Sequence, residues 1–300
     1  MIRAFDALPP YPRFDRGDAR PAVILLHGLC STSLEVRLFA RTLVEHGFRV
    51  VIPRVAGYSA DHSDTQAPYE RWVEAVMDEL DRVQRMHAVV HLCGVSLGAT
   101  VALAVAAHRP PGIASLGLIS TTLFYDGWNV SRWRFLLPLA FHTPLGRLYA
   151  YRETPPFGVK NERVRGWIAR QLAHSDLSSA GASRIPTSRL READRLIRFV
   201  RRTLPHVDVP LLLIHASDDD VASLANARHV AASVSSRVVR ELVVHDSYHM
   251  ITLDNDRDLA ALRTIQFFNQ AAAGDTGDHA GTATAADCRN GPDPLRSTVP

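Results

Sequence analysis

The stretch Ala88-Val89-Val90-His91-Leu92-Cys93-Gly94-Val95-Ser96-Leu97-Gly98-Ala99 constrains this chain more than any other. An apolar run of strand character meets Gly-x-Ser-x-Gly and passes directly into an alanine-rich segment that reads as helix. A serine in that position sits on a sharp strand-to-helix turn, because glycines two residues either side let a strained backbone pass close to its neighbours. The turn predicts an exposed Ser96 hydroxyl. It also predicts that the Leu97 amide, at the start of the helix, points toward any negative charge developing beside that hydroxyl. Gly-x-Ser-x-Gly arises often by chance, so a catalytic reading has to be carried by the rest of the chain.

With 300 residues and 46% hydrophobic content, the chain has ample material for one large α/β domain or two small ones. Its opening has no basic segment followed by an apolar run, and no stretch approaches the roughly eighteen uncharged apolar residues of a membrane span. Cys30, Cys93 and Cys288 are odd in number and lack metal-ligand spacing, which argues against a disulfide framework, a zinc site or any metal, and for a reducing cytoplasm. A net charge of +3 is too small to suggest a nucleic-acid partner.

In chain order, Ala22 to Leu26 predicts a first buried strand ending at His27-Gly28-Leu29-Cys30. Ser33 reads as the N-cap of a helix through Glu45, Phe48 to Ile52 as a strand, and Pro68 as the opening of a long amphipathic helix. The Ser96 strand and helix follow, then a strand at Ile113 to Ile119. Continuous apolar runs in such an alternation predict a mostly parallel sheet covered by helices on both faces. The alternation stops between 121 and 206, where proline, arginine and aromatic residues predominate, and we read an inserted lid there. It resumes with Val209 to His215, a helix near Ser223 to Val234, a strand near Val238 to Val244 and a helix from Asp256 to Asn269. The core is thus expected in two parts, 1–120 and 207–270. Residues 271–300 offer little to bury and predict a disordered tail.

Acyl transfer needs a nucleophile, a base, an acid that orients the base, and donors for an oxyanion. Asp218-Asp219-Asp220 follows the strand ending at His215, which puts carboxylates at the carboxyl edge of a parallel sheet, and His249 follows the next strand. The order serine, acid, histidine is that of one class of hydrolase fold. An unperturbed histidine base predicts turnover rising through about pH 6.5. Local chemistry does not separate the three aspartates. Two of them are expected to be solvated, Asp254 and Asp256 to cap the last helix, and His27, His91 and His215 to be satisfied structural histidines. A metal pair at His245 and His249 lacks the glutamate of the His-Glu-x-x-His pattern.

Four stretches resemble the α/β-hydrolases, and among them small bacterial carboxylesterases and monoacylglycerol lipases: Leu25-Leu26-His27-Gly28-Leu29, Gly94 to Gly98, Leu213 to Val221, and Tyr248 to Asp254. The resemblance covers roughly 20–120 and 207–270. It implies an α/β-hydrolase fold with an inserted lid, Ser96 as nucleophile, His249 as base, and the Leu29 and Leu97 amides as oxyanion donors, with no cofactor. It selects Asp219 as the orienting acid, because the family's acid commonly lies three residues after a small residue, here Ala216. The expected reaction is cleavage of a small acyl ester. An acyl-CoA or acyl-carrier-protein thioesterase is the alternative enzyme, and a non-catalytic binding protein the reading from another class.

The 121–206 segment carries 15 basic against 6 acidic side chains, a net of +9, leaving −6 for the remainder. Arg195, Arg198, Arg201 and Arg202 read as one face of a helix, either solvated or steering an anionic substrate or a weakly bound lipid surface. Trp128, Trp133 and Phe135 belong to an apolar cluster expected to line an acyl pocket above Ser96.

Overall fold

The computed structural model describes residues 20–60, 67–131, 141, 150–274 and 283–284. Six parallel strands build the sheet that carries the site: β1 (Ala22–Leu26), β2 (Arg49–Val51), β3 (Val90–Val95), β4 (Ile113–Ile119), and, after the insertion, β9 (Leu211–Ala216) and β10 (Val239–Val244). They lie in the order β10-β9-β4-β3-β1-β2, every pair parallel. Since β1 has β2 on one side and β3 on the other, the chain changes winding direction there. The loops leaving β1 and β3 therefore face each other across the crevice where open α/β sheets bind ligands.

The central strands β1, β3, β4 and β9 are almost wholly apolar because both sheet faces are covered there, while the flanking β2 and β10 carry Arg49, Arg240 and Glu241. On one face α1 (Ser33–Glu45) and α7 (Arg257–Ala272) bury Val36, Phe39, Leu43, Ile265 and Phe268. On the other lie α2 (Tyr69–Gln84) and α3 (Leu97–Ala107), with Trp72, Val76 and Leu80 packed beside the alanine-rich α3, which is buried on all sides from Leu97 to Ala106. Between β9 and β10 runs α6 (Ala225–Ser233). The α1 N-cap is Thr32 rather than Ser33: its hydroxyl accepts the Leu34 amide at 3.2 Å, and Ser33 is the first helical residue.

Between β4 and β9 the structure describes β5 (Ala150–Arg152), α4 (Glu162–His174), the short strands β6 (Leu177–Ser178), β7 (Gly181–Ala182) and β8 (Arg184–Pro186), and α5 (Thr187–Thr203). Val159 and Ile168 form a small cluster with Met250 and Leu253. In contrast, α5 sends Ala193, Leu196, Ile197 and Val200 into the main core beside α3, so this arginine-rich helix is part of the sheet's own covering layer. Its basic face is largely engaged. Arg195 bonds Glu70 at 2.7 Å and Glu192 at 2.5 Å, Arg198 pairs with Asp194 at 2.7 Å, and the Arg201 guanidinium lies 4.5 Å from the Phe124 ring centroid.

At the far end, β11 (Ala283–Thr284) pairs with β10 in parallel. The remainder of the expected tail beyond Gly274 lies outside the described residues. No helix among the described residues is long and apolar enough to cross a membrane.

Candidate active site

Ser96 stands between β3 and α3 with φ 56°, a left-handed conformation that a non-glycine residue holds only where its surroundings over-determine it. Its amide donates to the Ile119 carbonyl at 2.9 Å, fixing the turn to β4. The flanking glycines are required by close approach. A Cβ on Gly94 would sit 2.4 Å from the Gly98 carbonyl group, and one on Gly98 would sit 2.5 Å from the His27 carbonyl oxygen, both backbone contacts that no rotamer relieves.

The loop after β10 delivers His249, whose Nε2 lies 2.8 Å from Ser96 Oγ. Its Nδ1 lies 3.0 and 2.9 Å from the two carboxylate oxygens of Asp219, in the loop after β9. Asp219 is itself held in place: Oδ1 accepts the Val221 and Ala222 amides at 2.9 and 2.7 Å, and Oδ2 lies 3.3 Å from Nε2 of His215. Burial alone would raise this carboxyl, but the His249 charge and hydrogen bonds from His215 and His249 outweigh it and hold Asp219 well below the usual carboxylate range. For His249 burial acts downward, while Asp219, then Asp220 and Glu35, push it up to about 8. The expectation of about 6.5 therefore moves to about 8, because the imidazole is surrounded by carboxylates.

The three adjacent aspartates have three different environments. Asp218 is exposed and lies 3.6 Å from Lys160 Nζ. Asp220, expected to be solvated, is 1% exposed and accepts the His249 main-chain amide at 3.3 Å, because the loop turns it inward under the histidine. His215 satisfies the Ala222 carbonyl at 2.7 Å, as a structural histidine should, but it also touches the acid, a role its place in an apolar strand did not signal. His27 bonds the Gly28 carbonyl at 2.7 Å and Ser59 at 3.0 Å, and His91 bonds Ser115 at 2.8 Å. His245 turns away from the site to Ser217, 3.0 Å distant. Burial pushes the Cys30 and Cys93 thiols up to about 11 and about 12, which leaves them inert fillers.

Asp254 and Asp256 do not cap α7 with their side chains. Asp256 accepts the Asp246 amide and the Ser247 hydroxyl at 2.8 and 2.9 Å. Asp254 accepts four amides, Lys160 at 2.6 Å and Asn161 at 2.9 Å from the insertion, Tyr248 at 3.0 Å from the histidine loop and its neighbour Asn255 at 3.0 Å. A single carboxylate thus joins the insertion to the residue preceding His249.

Leu29 and Leu97, the two residues expected to supply oxyanion donors, both border the cavity at Ser96. Leu97 opens α3, where the first N–H groups of a helix have no intrahelical acceptor. In the loop after β1, the Gly28 amide bonds Glu35, Cys30 bonds the Tyr58 carbonyl and Ser31 bonds the Gly28 carbonyl, while the Leu29 residue between them borders the cavity above Ser96.

That cavity measures about 300 Å³. One part of its wall is apolar, with Phe157, Ile168, Leu172, Ile185, Leu190 and Met250 among its residues. Another part carries Glu35, Glu153 and Asp220, and no arginine or lysine borders it among the described residues. Burial raises Glu35 to about 7, and burial with Asp220 nearby raises Glu153 to about 7. Trp128 is 57% exposed, its indole N–H bonded to the Asp218 carbonyl at 2.9 Å, so the wall beside it is formed by Asn129, Val130 and Ser131. The indole is drawn outward by that bond and by an edge contact with Tyr248. Trp133 and Phe135 lie outside the described residues.

A family model described as serine aminopeptidase, S33, matches residues 17–256. The chain is 24% identical over 251 residues to the thermostable monoacylglycerol lipase of Bacillus sp. (strain H-257), covering 83% of this chain and 91% of that one. It is 24% identical over 264 residues to a carboxylesterase of Bacillus subtilis (strain 168), covering 86% and 95%. Among solved structures, one of the metagenome-derived lipolytic enzymes LipS and LipT superposes with a TM-score of 0.70 at 20% identity, over 88% of this chain and 100% of that one.

Proposed function

Because the chain belongs to the serine aminopeptidase S33 family of α/β-hydrolases, we propose that it cleaves carboxylic esters through an acyl-enzyme on Ser96, with a lipid-derived acyl group in the apolar part of the cavity. The observation that carries this reading is the unbroken contact Ser96 Oγ to His249 Nε2 and His249 Nδ1 to Asp219, under 3.1 Å at each step. In the first step Ser96 Oγ bonds to the ester carbonyl carbon as His249 Nε2 takes the hydroxyl proton, and the Leu29 and Leu97 amides hold the oxyanion. The oxyanion collapses, the alcohol leaves with the proton from His249, and His249 then draws a proton from water that attacks the acyl carbon; the second oxyanion collapses, the bond from that carbon to Ser96 Oγ breaks as His249 returns the proton to Oγ, and the acid leaves. Asp219 keeps the imidazole in the tautomer with Nε2 free to accept. Within 121–206, we read residues 150–190 as the part that closes over the site, α5 contributing only its first turn; Phe157, Ile168, Leu172 and Leu190 in the wall support that assignment.

A fluorophosphonate probe tests this reading. A single adduct is expected on the Ser96 peptide, and its rate should rise through a limb near pH 8 together with hydrolysis of a short monoacylglycerol. An adduct elsewhere, or faster turnover of an acyl thioester or an amino-acid arylamide, overturns it.

The relatives named above are lipase and esterase, and the carboxyl-bearing cavity gives a phosphate- or carboxylate-bearing substrate no cationic partner among the described residues. Of the basic face read from the sequence, Arg195 is paired with Glu70 and Glu192, and the nearest of Arg198, Arg201 and Arg202 is roughly 12 Å along the helix from the cavity residue Leu190, beyond the screening length at about 0.15 M salt. Reversal of all three to glutamate is expected to change kcat/KM by less than about twofold for neutral and anionic esters alike across a salt titration. A salt-dependent loss confined to acyl-CoA would restore the thioesterase alternative.

A further inference from the structure

We propose that Glu35 is a positioning residue for acyl transfer, accepting the Gly28 amide and thereby fixing the turn that presents the Leu29 amide to the oxyanion. The proposal rests on the ester-hydrolase reading above.

Glu35 is the third residue of α1, where the pattern Thr32-x-x-Glu35 resembles a capping box whose glutamate should turn back to the amide of its own N-cap. It reaches further, with Oε2 2.8 Å from the Gly28 amide nitrogen. The absence of a side chain at Gly28 permits this: a Cβ there would meet Oε2 at 3.2 Å. The carboxyl is 1% exposed and borders the same cavity as Ser96, and neither its Oε1 nor the neighbouring Ser31 hydroxyl has a hydrogen-bond partner of good geometry. A buried carboxyl with one oxygen unpartnered is costly to keep for stability alone.

The turn it holds is strained and tied from several sides. Cys30 has φ 53°, its amide donates to the Tyr58 carbonyl at 3.0 Å, and its carbonyl accepts the Ala182 amide at 2.9 Å. Those bonds hold the far end of the turn. Glu35 holds the near end, on the residue immediately before Leu29. Removing the carboxyl leaves the Gly28 N–H without its acceptor, so the Gly28 carbonyl, held by His27 Nδ1 at 2.7 Å and the Ser31 amide at 3.3 Å, alone sets the direction in which Leu29 N–H points, and that direction shifts. A misdirected oxyanion donor lowers the rate of the chemical step and leaves substrate affinity almost untouched.

The charge of Glu35 also reaches the base. The titratable and charged groups at this corner are His249 from the loop after β10, Tyr58 from the loop after β2, His27 and Cys30 in the turn, and Arg189 of α5 near Cys30, with Tyr125, Glu153 and Asp220 elsewhere on the cavity wall. Ionised Glu35 favours protonated His249, whose neutral form is the active base. An uncharged residue of the same shape should therefore let His249 lose its proton at lower pH.

Three variants, measured per active site by burst titration with an aryl ester, test the proposal. E35A should lower kcat on the order of 100-fold with KM within about threefold, the loss expected from one misplaced donor. E35Q, whose amide oxygen can accept the Gly28 N–H and whose NH2 can donate to Ser31, should recover most of that loss. Its kcat/KM limb should shift to lower pH than wild type, whereas E35D, too short to reach Gly28, should behave like E35A. Near-wild-type kcat per titrated site in E35A, or an unmoved limb in E35Q, overturns the proposal. If E35A does not fold, the E35Q limb still decides. Fluorophosphonate labelling of Ser96 in these variants separates the two readings: labelling that persists while the E35Q limb stays put defeats the Glu35 role alone, and absence of labelling in wild type defeats the ester-hydrolase reading beneath it.

Discussion

Ser96→Ala is expected to remove fluorophosphonate labelling and lower kcat for a monoacylglycerol by roughly 10⁶-fold, with the fold intact, because the hydroxyl is small and its loss leaves the turn's backbone bonds in place. His249→Ala should lose about as much. Ser96 Oγ and His249 Nε2 are 2.8 Å apart and are expected to act as one unit: without a base a serine hydroxyl is a poor nucleophile, and without the hydroxyl a base has nothing to activate. The double variant should accordingly be no worse than either single one. Single-turnover kinetics with an aryl ester check both statements. Retention of more than a few per cent of wild-type turnover by Ser96→Ala, or losses that multiply in the double variant, would remove Ser96 from the mechanism.

Asp219→Asn should cost on the order of 10⁴-fold in kcat, Asp220→Asn about tenfold, and Asp218→Asn close to nothing. The ranking follows from what each carboxylate touches. In Asp219→Asn the amide oxygen can still accept the Val221 and Ala222 amides in place of Oδ1, but its NH2 then faces His249 Nδ1 and His215 Nε2. The imidazole must adopt the other tautomer, with its proton on the nitrogen that should accept from Ser96. Asp220 holds only the main-chain N–H of His249, and Asp218 lies in solvent beside Lys160. Asp220→Asn should also move the acid limb of the pH profile downward, since Asp220 helps raise His249. A deeper loss in Asp220→Asn than in Asp219→Asn would exchange the two roles.

The parts of this site legible in the sequence are those that local order dictates. A strand, a glycine-flanked serine and a helix can only make a sharp turn, and an acid and a histidine that each follow an apolar strand must arrive at the same sheet edge as that serine. What escaped notice depends on side chains whose targets are distant in the chain. Glu35 reads as the acidic first-turn residue of an amphipathic helix, and nothing in that pattern reveals that it reaches back to Gly28. Asp220 has a solvated neighbour of identical chemistry, and only the path of the loop separates them. Helix α5 is legible as a helix, but its place in the core is hidden by composition: its arginines mask a stripe of Ala193, Leu196, Ile197 and Val200 at helical spacing, and the broken alternation around it suggests something foreign to the core.

The shared carboxylate of Asp254 bears on how such an enzyme acquires new substrates. Lys160 and Asn161 enter it from one side and Tyr248 from the other, so the chain entering α4 is tied to a fixed peg whose opposite end steadies the residue before His249. A cassette of different length grafted between residues 131 and 157 would leave in place Thr122, 3.2 Å from Ser96 Oγ, and the Gly127 and Asn129 amides bonded to the Asp220 loop, and is expected to reshape the cavity without disturbing the chemistry, provided it hands the chain back in time for two successive amides to reach that peg. A graft that misses it would alter the specificity and slacken the base in the same stroke.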